Sequence, residues 1–137
     1  ISYLAARGLP LAHVDTRGSA SAFLDALSLA DPQADAIVLH ADPAHLARLL
    51  MRRRVRPMLI GADEPESIKH AYAACKLLAQ RCQLMTFDLL LAASPQSPRV
   101  AAIVNSLTSC AETFLGALVL HTAVIDPALR SISGSGP

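Results

Sequence analysis

Pro57-Met58-Leu59-Ile60-Gly61 followed by Ala62-Asp63-Glu64-Pro65-Glu66-Ser67-Ile68-Lys69-His70-Ala71-Tyr72-Ala73-Ala74-Cys75-Lys76-Leu77-Leu78 is the stretch that decides the fold. Its first five residues read as a short apolar strand. Glu64-Pro65 then opens a helix, because proline has no N–H to leave unpaired at a first helical position. Ile68, Ala71, Tyr72, Cys75, Ala79 and Cys82 recur at spacings of three and four, one apolar stripe of a long helix. A strand tip, a polar turn and a proline-started helix make half of a βαβ unit.

The same grammar extends in both directions. Upstream, Leu9 to Asp15 predicts a short strand ending at Asp15-Thr16-Arg17-Gly18, and Ser19 predicts the cap of a helix to Ala30 that buries Phe23, Leu24 and Leu27. Ala36-Ile37-Val38-Leu39 is a continuous apolar run, as expected of a strand covered on both faces. Asp42-Pro43 starts a helix expected to reach Arg54. Downstream, Leu84 to Ala92 predicts a strand, and Ser97-Pro98 a helix with Val100, Ile103, Val104, Leu107, Ala111 and Phe114 inward. Leu118 to Val124 predicts the last strand, closed by Asp126-Pro127. The expectation is one α/β domain over residues 1–130, a doubly wound, mainly parallel five-stranded sheet with helices on both faces and strand tips along one rim. Residues 131–137, rich in Ser and Gly, read as a flexible tail.

Composition narrows the function. Hydrophobic residues make up 53% of the 137 positions, charged ones 17%, and mean hydropathy is +0.39, which favours buried strands or a sizeable partner interface. Twelve Lys and Arg against eleven Asp and Glu give a net charge of +1, too small for a general nucleic-acid or anionic-membrane field. Three cysteines without a CxxC pair fit neither a disulfide scaffold nor a zinc ribbon and point to a reducing cytoplasm. No segment reaches the roughly 18 apolar residues of a membrane span, and no signal peptide is legible. The opening Ile1-Ser2-Tyr3-Leu4-Ala5-Ala6-Arg7-Gly8 reads as the last turns of a helix, so preceding residues are expected in the natural protein.

Asp63 to Leu78 resembles a segment of the MinD/ParA-like ATPases, most closely the bacterial branch that controls flagellar number and placement, where a strand end reads Pro-Glu-Pro-Thr-Ser-Ile-Thr-Asp-Ala-Tyr-Ala-x-x-Lys. Ala5-Ala6-Arg7-Gly8-Leu9-Pro10-Leu11-Ala12-His13-Val14-Asp15 is similar to the helix end after that family's phosphate loop and its next strand. Phe114-Leu115-Gly116-Ala117 with Ala123-Val124-Ile125-Asp126-Pro127 is similar to its last strand and Ile-Pro-Tyr-Asp turn. The resemblance implies the phosphate-loop NTPase fold, a cytoplasmic regulator with peripheral membrane association left open, and pairing of two copies across the nucleotide face.

The departures bear on mechanism. The glycine-rich loop whose amides cradle phosphate would precede Ile1. His40 stands where the family carries a magnesium-associated Asp, and imidazole is a poor ligand for that hard ion. Ala92 stands where the family has an adenine-contacting Asn. The resemblance with these gaps implies a degenerate regulator acting by protein contact, with no cofactor on this chain. The alternative is a working switch ATPase binding ATP and magnesium through a loop upstream of residue 1. A receiver-like or scaffold domain is a third reading.

Asp15, Arg17, His40, Asp42 and Asp63 are the candidate cofactor-binding residues, all at expected strand tips. Beside that stands the plainer possibility that strand-end turns use Asp for local hydrogen bonds and that His40 is a satisfied strand-end histidine. Arg48, Arg52, Arg53, Arg54 and Arg56 form one basic cluster expected at a helix C-terminus, a candidate contact for an acidic partner or simply a solvated helix end. No aromatic residues interleave it to stack bases. His13, His45, His70 and His121 fall at no metal-ligand spacing, and Cys75 and Cys82 read as small buried apolar residues. No catalytic residue and no metal ligand is assigned.

Overall fold

Thr86-Phe87-Asp88-Leu89-Leu90-Leu91-Ala92 forms the central strand of the protein, alternating fully buried Phe87, Leu89 and Leu91 with half-buried neighbours. The protein is described by a computed structural model covering residue 8 and residues 10–129, which fall into two compact units divided between Arg53 and Arg54. The expected tail at 131–137 and the expected helix end at residues 1–7 lie outside the described residues.

The second unit contains the sheet. Its strands are β1 (Met58–Ala62), β2 (Thr86–Ala92) and β3 (Leu118–Ile125), all parallel and in the order β1-β2-β3. β1 leads into α3 (Pro65–Cys82), which ends on Gln83 in the left-handed region. β2 leads into α4 (Val100–Cys110), which passes into a π-helical turn, Ala111–Leu115, closed by Gly116 at φ +66°. Both crossovers step in the same direction, so like-handed connections put both helices on one face of the sheet. α3 accordingly packs on β1 and touches both α4 and the π-helical turn. Ala71, Cys75, Leu78, Ala79 and Cys82 of α3 are buried, as are Leu59, Phe87, Leu89 and Leu91 of the strands. Gly61 keeps this layer close, since a Cβ there would lie 3.1 Å from the Leu91 side chain.

The first unit holds a 3-10 turn, Pro10–His13, and two helices, α1 (Ser21–Ala30) and α2 (Pro43–Leu49). α2 packs against the 3-10 turn. Phe23, Leu24 and Leu27 are half-buried on α1, and Ala20, Ala47 and Leu49 are buried.

The five-stranded doubly wound sheet with helices on both faces is therefore corrected, among the described residues, to three parallel strands with four helices, two of which cover one face of the sheet. The strand expected from Leu9 to Asp15 is a 3-10 turn over Pro10–His13. Proline there cannot donate to a ladder and its fixed φ suits a tight turn. Ala36 to Leu39 pairs with no strand among the described residues, and Val38 is 90% exposed. Four apolar residues specify an extended chain only where a neighbouring strand accepts their hydrogen bonds. The helix expected to reach Arg54 stops at Leu49. Phe114, expected inward, is 72% exposed. The π-helical turn after Cys110 widens the helix by one residue per turn and rotates the stripe off the core.

One-sided burial has a measurable signature. Leu89→Ala is expected to lower unfolding stability in urea by about 2–5 kcal/mol, whereas Ile60→Thr, on the uncovered face, changes it by no more than about 0.5 kcal/mol. A loss of similar size at both positions would contradict the burial pattern.

Burial also controls thiol chemistry. It pushes the Cys75 thiol up to about 11, and it raises Cys82 despite the opposing pull of Arg81. In the native protein near neutral pH, alkylation mapped by mass spectrometry is expected at half-buried Cys110 before either of the others.

Candidate functional site

Asp63 leaves the C-terminal tip of β1 and turns its carboxylate into the loop between β2 and α4. Ser97 Oγ donates to Asp63 Oδ2. Arg99 places Nε 3.0 Å from Oδ1 and donates through Nη2 to the Asp63 carbonyl at 3.3 Å. Oδ1 is buried, and its contact with Arg99 is an ion pair whose N–H is not aligned for a hydrogen bond. Ser67, in the first turn of α3, accepts from the Ala62 amide at 2.8 Å and fixes the strand tip. Ser94 and Gln96 bond to each other and tighten the same loop. Through these contacts with Ser97 and Arg99, Asp63 anchors the loop between β2 and α4 to the tip of β1.

Beside this anchor lies a cleft of about 440 Å³, whose lining includes Ala93, Ser94, Val100, Val124, Asp126 and Leu129. It opens at the carboxyl ends of β2 and β3, against the first turn of α4. Asp126 closes its own turn by accepting from the Ala128 amide at 3.0 Å. The lining is mainly apolar, so the cleft suits a flat or aliphatic group better than a phosphate.

At the opposite end of the sheet, Asp88 ties three segments together. Its Oδ2 accepts from Arg56 Nε at 2.9 Å, and its Oδ1 lies 3.1 Å from His121 Nδ1 on β3. Partial burial pushes the Asp88 carboxyl up, but the hydrogen bonds from His121 and Arg56 and their charges outweigh it, so the group lies below its ordinary value. Met58, Asp88 and His121 are register partners across the three strands and so share the face opposite α3 and α4.

The residues singled out in the sequence fall in both units. Asp15 Oδ1 accepts from the amides of Arg17 and Ser19 at 2.8 and 2.9 Å, closing its own turn, and the Arg17 residue is exposed. His40 is exposed in irregular chain, and Asp42 caps α2 by accepting from the Ala44 amide at 2.9 Å. These four belong to the first unit and Asp63 to the second. Of the five, Asp63 alone follows a strand of the sheet.

The basic cluster is divided as well. Arg48 sits in the last turn of α2, Arg52 lies beyond it at φ +61°, and Arg53 donates to Ser21 Oγ at 2.7 Å. Arg56 belongs to the second unit and pairs with Asp88. Among the described residues no group of three or more His, Cys, Asp or Glu could hold a metal ion. His13 stacks on Phe23 with ring centroids 4.3 Å apart.

Two features are not legible from local sequence: the contacts of Ser97 and Arg99 with Asp63, and the role of Asp88. The available signal for Asp88 was its isolation, a single charge inside an otherwise apolar strand that must find a partner or lose its charge.

No family model matches the chain, and no curated protein or solved structure matches it either.

Asp88 gives a directional pH test. A carboxyl whose folded value is depressed contributes stability above its unfolded value and loses that contribution as pH falls through the folded one. The thermal midpoint of the native chain is expected to exceed that of Asp88→Asn at neutral pH. The gap should close on acidification, through and below the ordinary aspartate range near about pH 4. A gap independent of pH would show that the carboxylate is not the source.

Proposed function

We propose that this chain is a regulatory domain related to the MinD/ParA-like ATPases of the flagellar number and placement branch, acting by protein contact rather than by nucleotide turnover. The run from Asp63 to Leu78 motivates the kinship. In the structure that run begins at the tip of a parallel strand and continues as the proline-started helix α3.

The observation that carries the binding role is the open face of the sheet. Parallel sheets are ordinarily covered on both faces. Here α3 and α4 cover one, while the other presents Met58 at 57% exposure, Ile60 at 60% and Ile125, with Leu90 half-buried between them. An apolar surface of this kind, bordered by the Arg56–Asp88–His121 cluster, suits the centre and polar rim of a protein interface.

The reading is of a cytoplasmic regulator. Among the described residues no helix is long and apolar enough to cross a membrane. Asp63, engaged by Ser97 and Arg99, offers no open carboxylate for metal-assisted hydrolysis.

A second reading, a switch ATPase binding ATP and magnesium through a phosphate loop outside this chain, is favoured by the cleft at the tips of β2 and β3. Its volume falls within the range of small-ligand sites, and its apolar lining suits a heterocyclic base.

One pair of variants separates the two. In the native organism, Ile60→Asp is expected to disturb flagellar number or placement without lowering the thermal midpoint of the purified protein. Val100→Trp, which fills the cleft, should leave the phenotype unchanged. Loss of function from Val100→Trp together with loss of labelled-ATP binding, and none from Ile60→Asp, would replace the first reading with the second.

A further inference from the structure

Among the described residues β3 is an outer strand of the sheet. It runs for eight residues, Leu118-Val119-Leu120-His121-Thr122-Ala123-Val124-Ile125, without proline, lysine, arginine or carboxylate. Among the described residues it pairs with β2 alone. Every residue from Leu120 to Ile125 is exposed. Outer strands usually carry charges or proline against edge pairing, and β3 has no proline, lysine, arginine or carboxylate along its length.

The hydrogen bonds identify which groups are free. Ile125 accepts through its carbonyl from the Ala93 amide at 3.0 Å, so its backbone groups point toward β2. Successive residues of a strand point these groups to alternate sides, so His121 and Ala123 also face β2 while Thr122 and Val124 turn theirs outward. The register shift between Phe87 and Asp88 lies earlier on the ladder, leaving residues 121–125 regular.

We infer that two copies of this chain pair antiparallel along β3, with Ala123 facing Ala123 on the two-fold axis and Thr122 exchanging both backbone hydrogen bonds with Val124 of the other copy. This arrangement satisfies the outward donors and acceptors of both strands in a closed, isologous contact. Small side chains meet at the axis, and β-branched Thr122 and Val124 meet on either side of it. On the open face His121 lies opposite Ile125, so no like charges face each other. The chain's net charge of +1 opposes association only weakly. The inference rests on the edge of β3 and is independent of the function proposed for the open face.

Sedimentation equilibrium and cross-linking test it together. The purified chain at high micromolar concentration is expected to show twice its monomer mass, and Thr122→Pro, which removes an outward N–H without touching the ladder to β2, the monomer mass. In a Cys110→Ala background, Ala123→Cys is expected to form an intermolecular disulfide under mild oxidation. Directly opposed residues of a non-hydrogen-bonded antiparallel pair lie about 4.5 Å apart at Cα, within disulfide reach. Ile60→Cys, on the sheet face, should not cross-link.

A monomer at all concentrations, a Thr122→Pro variant that still doubles in mass, or cross-linking through Ile60→Cys in place of Ala123→Cys would each overturn the inference. Circular dichroism reports whether Thr122→Pro is folded. If it is not, the Ala123→Cys and Ile60→Cys comparison decides alone.

Discussion

The packing of α3 on the sheet is the interaction on which the second unit depends. Cys75, Leu78 and Ala79 form a buried helix face, and Leu59, Phe87, Leu89 and Leu91 form the buried strand face. These side chains are among the most buried of the unit, and their removal from water contributes to its hydrophobic stabilisation. Gly61 belongs to the same contact, because the absent side chain is what lets Leu91 lie against the β1 backbone. Position and chemistry then separate cleanly. The apolar layer holds the strands in register, and polar groups gather at the two ends of the sheet, Asp63 with Ser97 and Arg99 at one and Asp88 with Arg56 and His121 at the other.

Much of that layer was legible in the sequence because it is local. The stripe from Ile68 to Cys82 needs only helical spacing, and the alternation of β2 needs only period two. The five-stranded expectation failed where pattern had to stand in for pairing. Leu9 to Asp15 and Ala36 to Leu39 have strand-like composition, yet a strand exists only when another backbone accepts its ladder, and neither run reports whether one is present. The polar ends were less legible for the same reason. Asp63 could be placed at a strand tip from its own neighbours, but Ser97 stands 34 residues away and Arg99 36. Arg56 sat in a basic run whose proximity in sequence concealed a partner 32 residues on.

Strand order explains why so much apolar surface stays uncovered. With β1, β2 and β3 in chain order, every crossover moves the same way, and same-handed connections stack their helices on one side. A reversal of direction would have sent a helix to the other side and created the crevice where open α/β sheets hold their ligands. Without it, the rim at the strand tips narrows to the cleft beside Asp126, and Met58, Ile60 and the residues of β3 from Leu120 to Ile125 stay exposed. The exposure of Met58, Ile60 and β3 is thus one property of the topology, not several unrelated features of individual residues.

That connection also ranks the surfaces. An apolar face gains from being covered by anything of matching shape, because the hydrophobic term has no direction and does not by itself select a partner. A strand edge is selective, since its donors and acceptors demand an extended backbone in one register and orientation. The open face and the β3 edge meet along His121, Ala123 and Ile125, whose side chains lie on the face while the free amides and carbonyls of Thr122 and Val124 lie on the edge. A copy aligned by the edge would extend the open face across the pair. The two surfaces are therefore coupled through geometry, the edge setting orientation and the face supplying area.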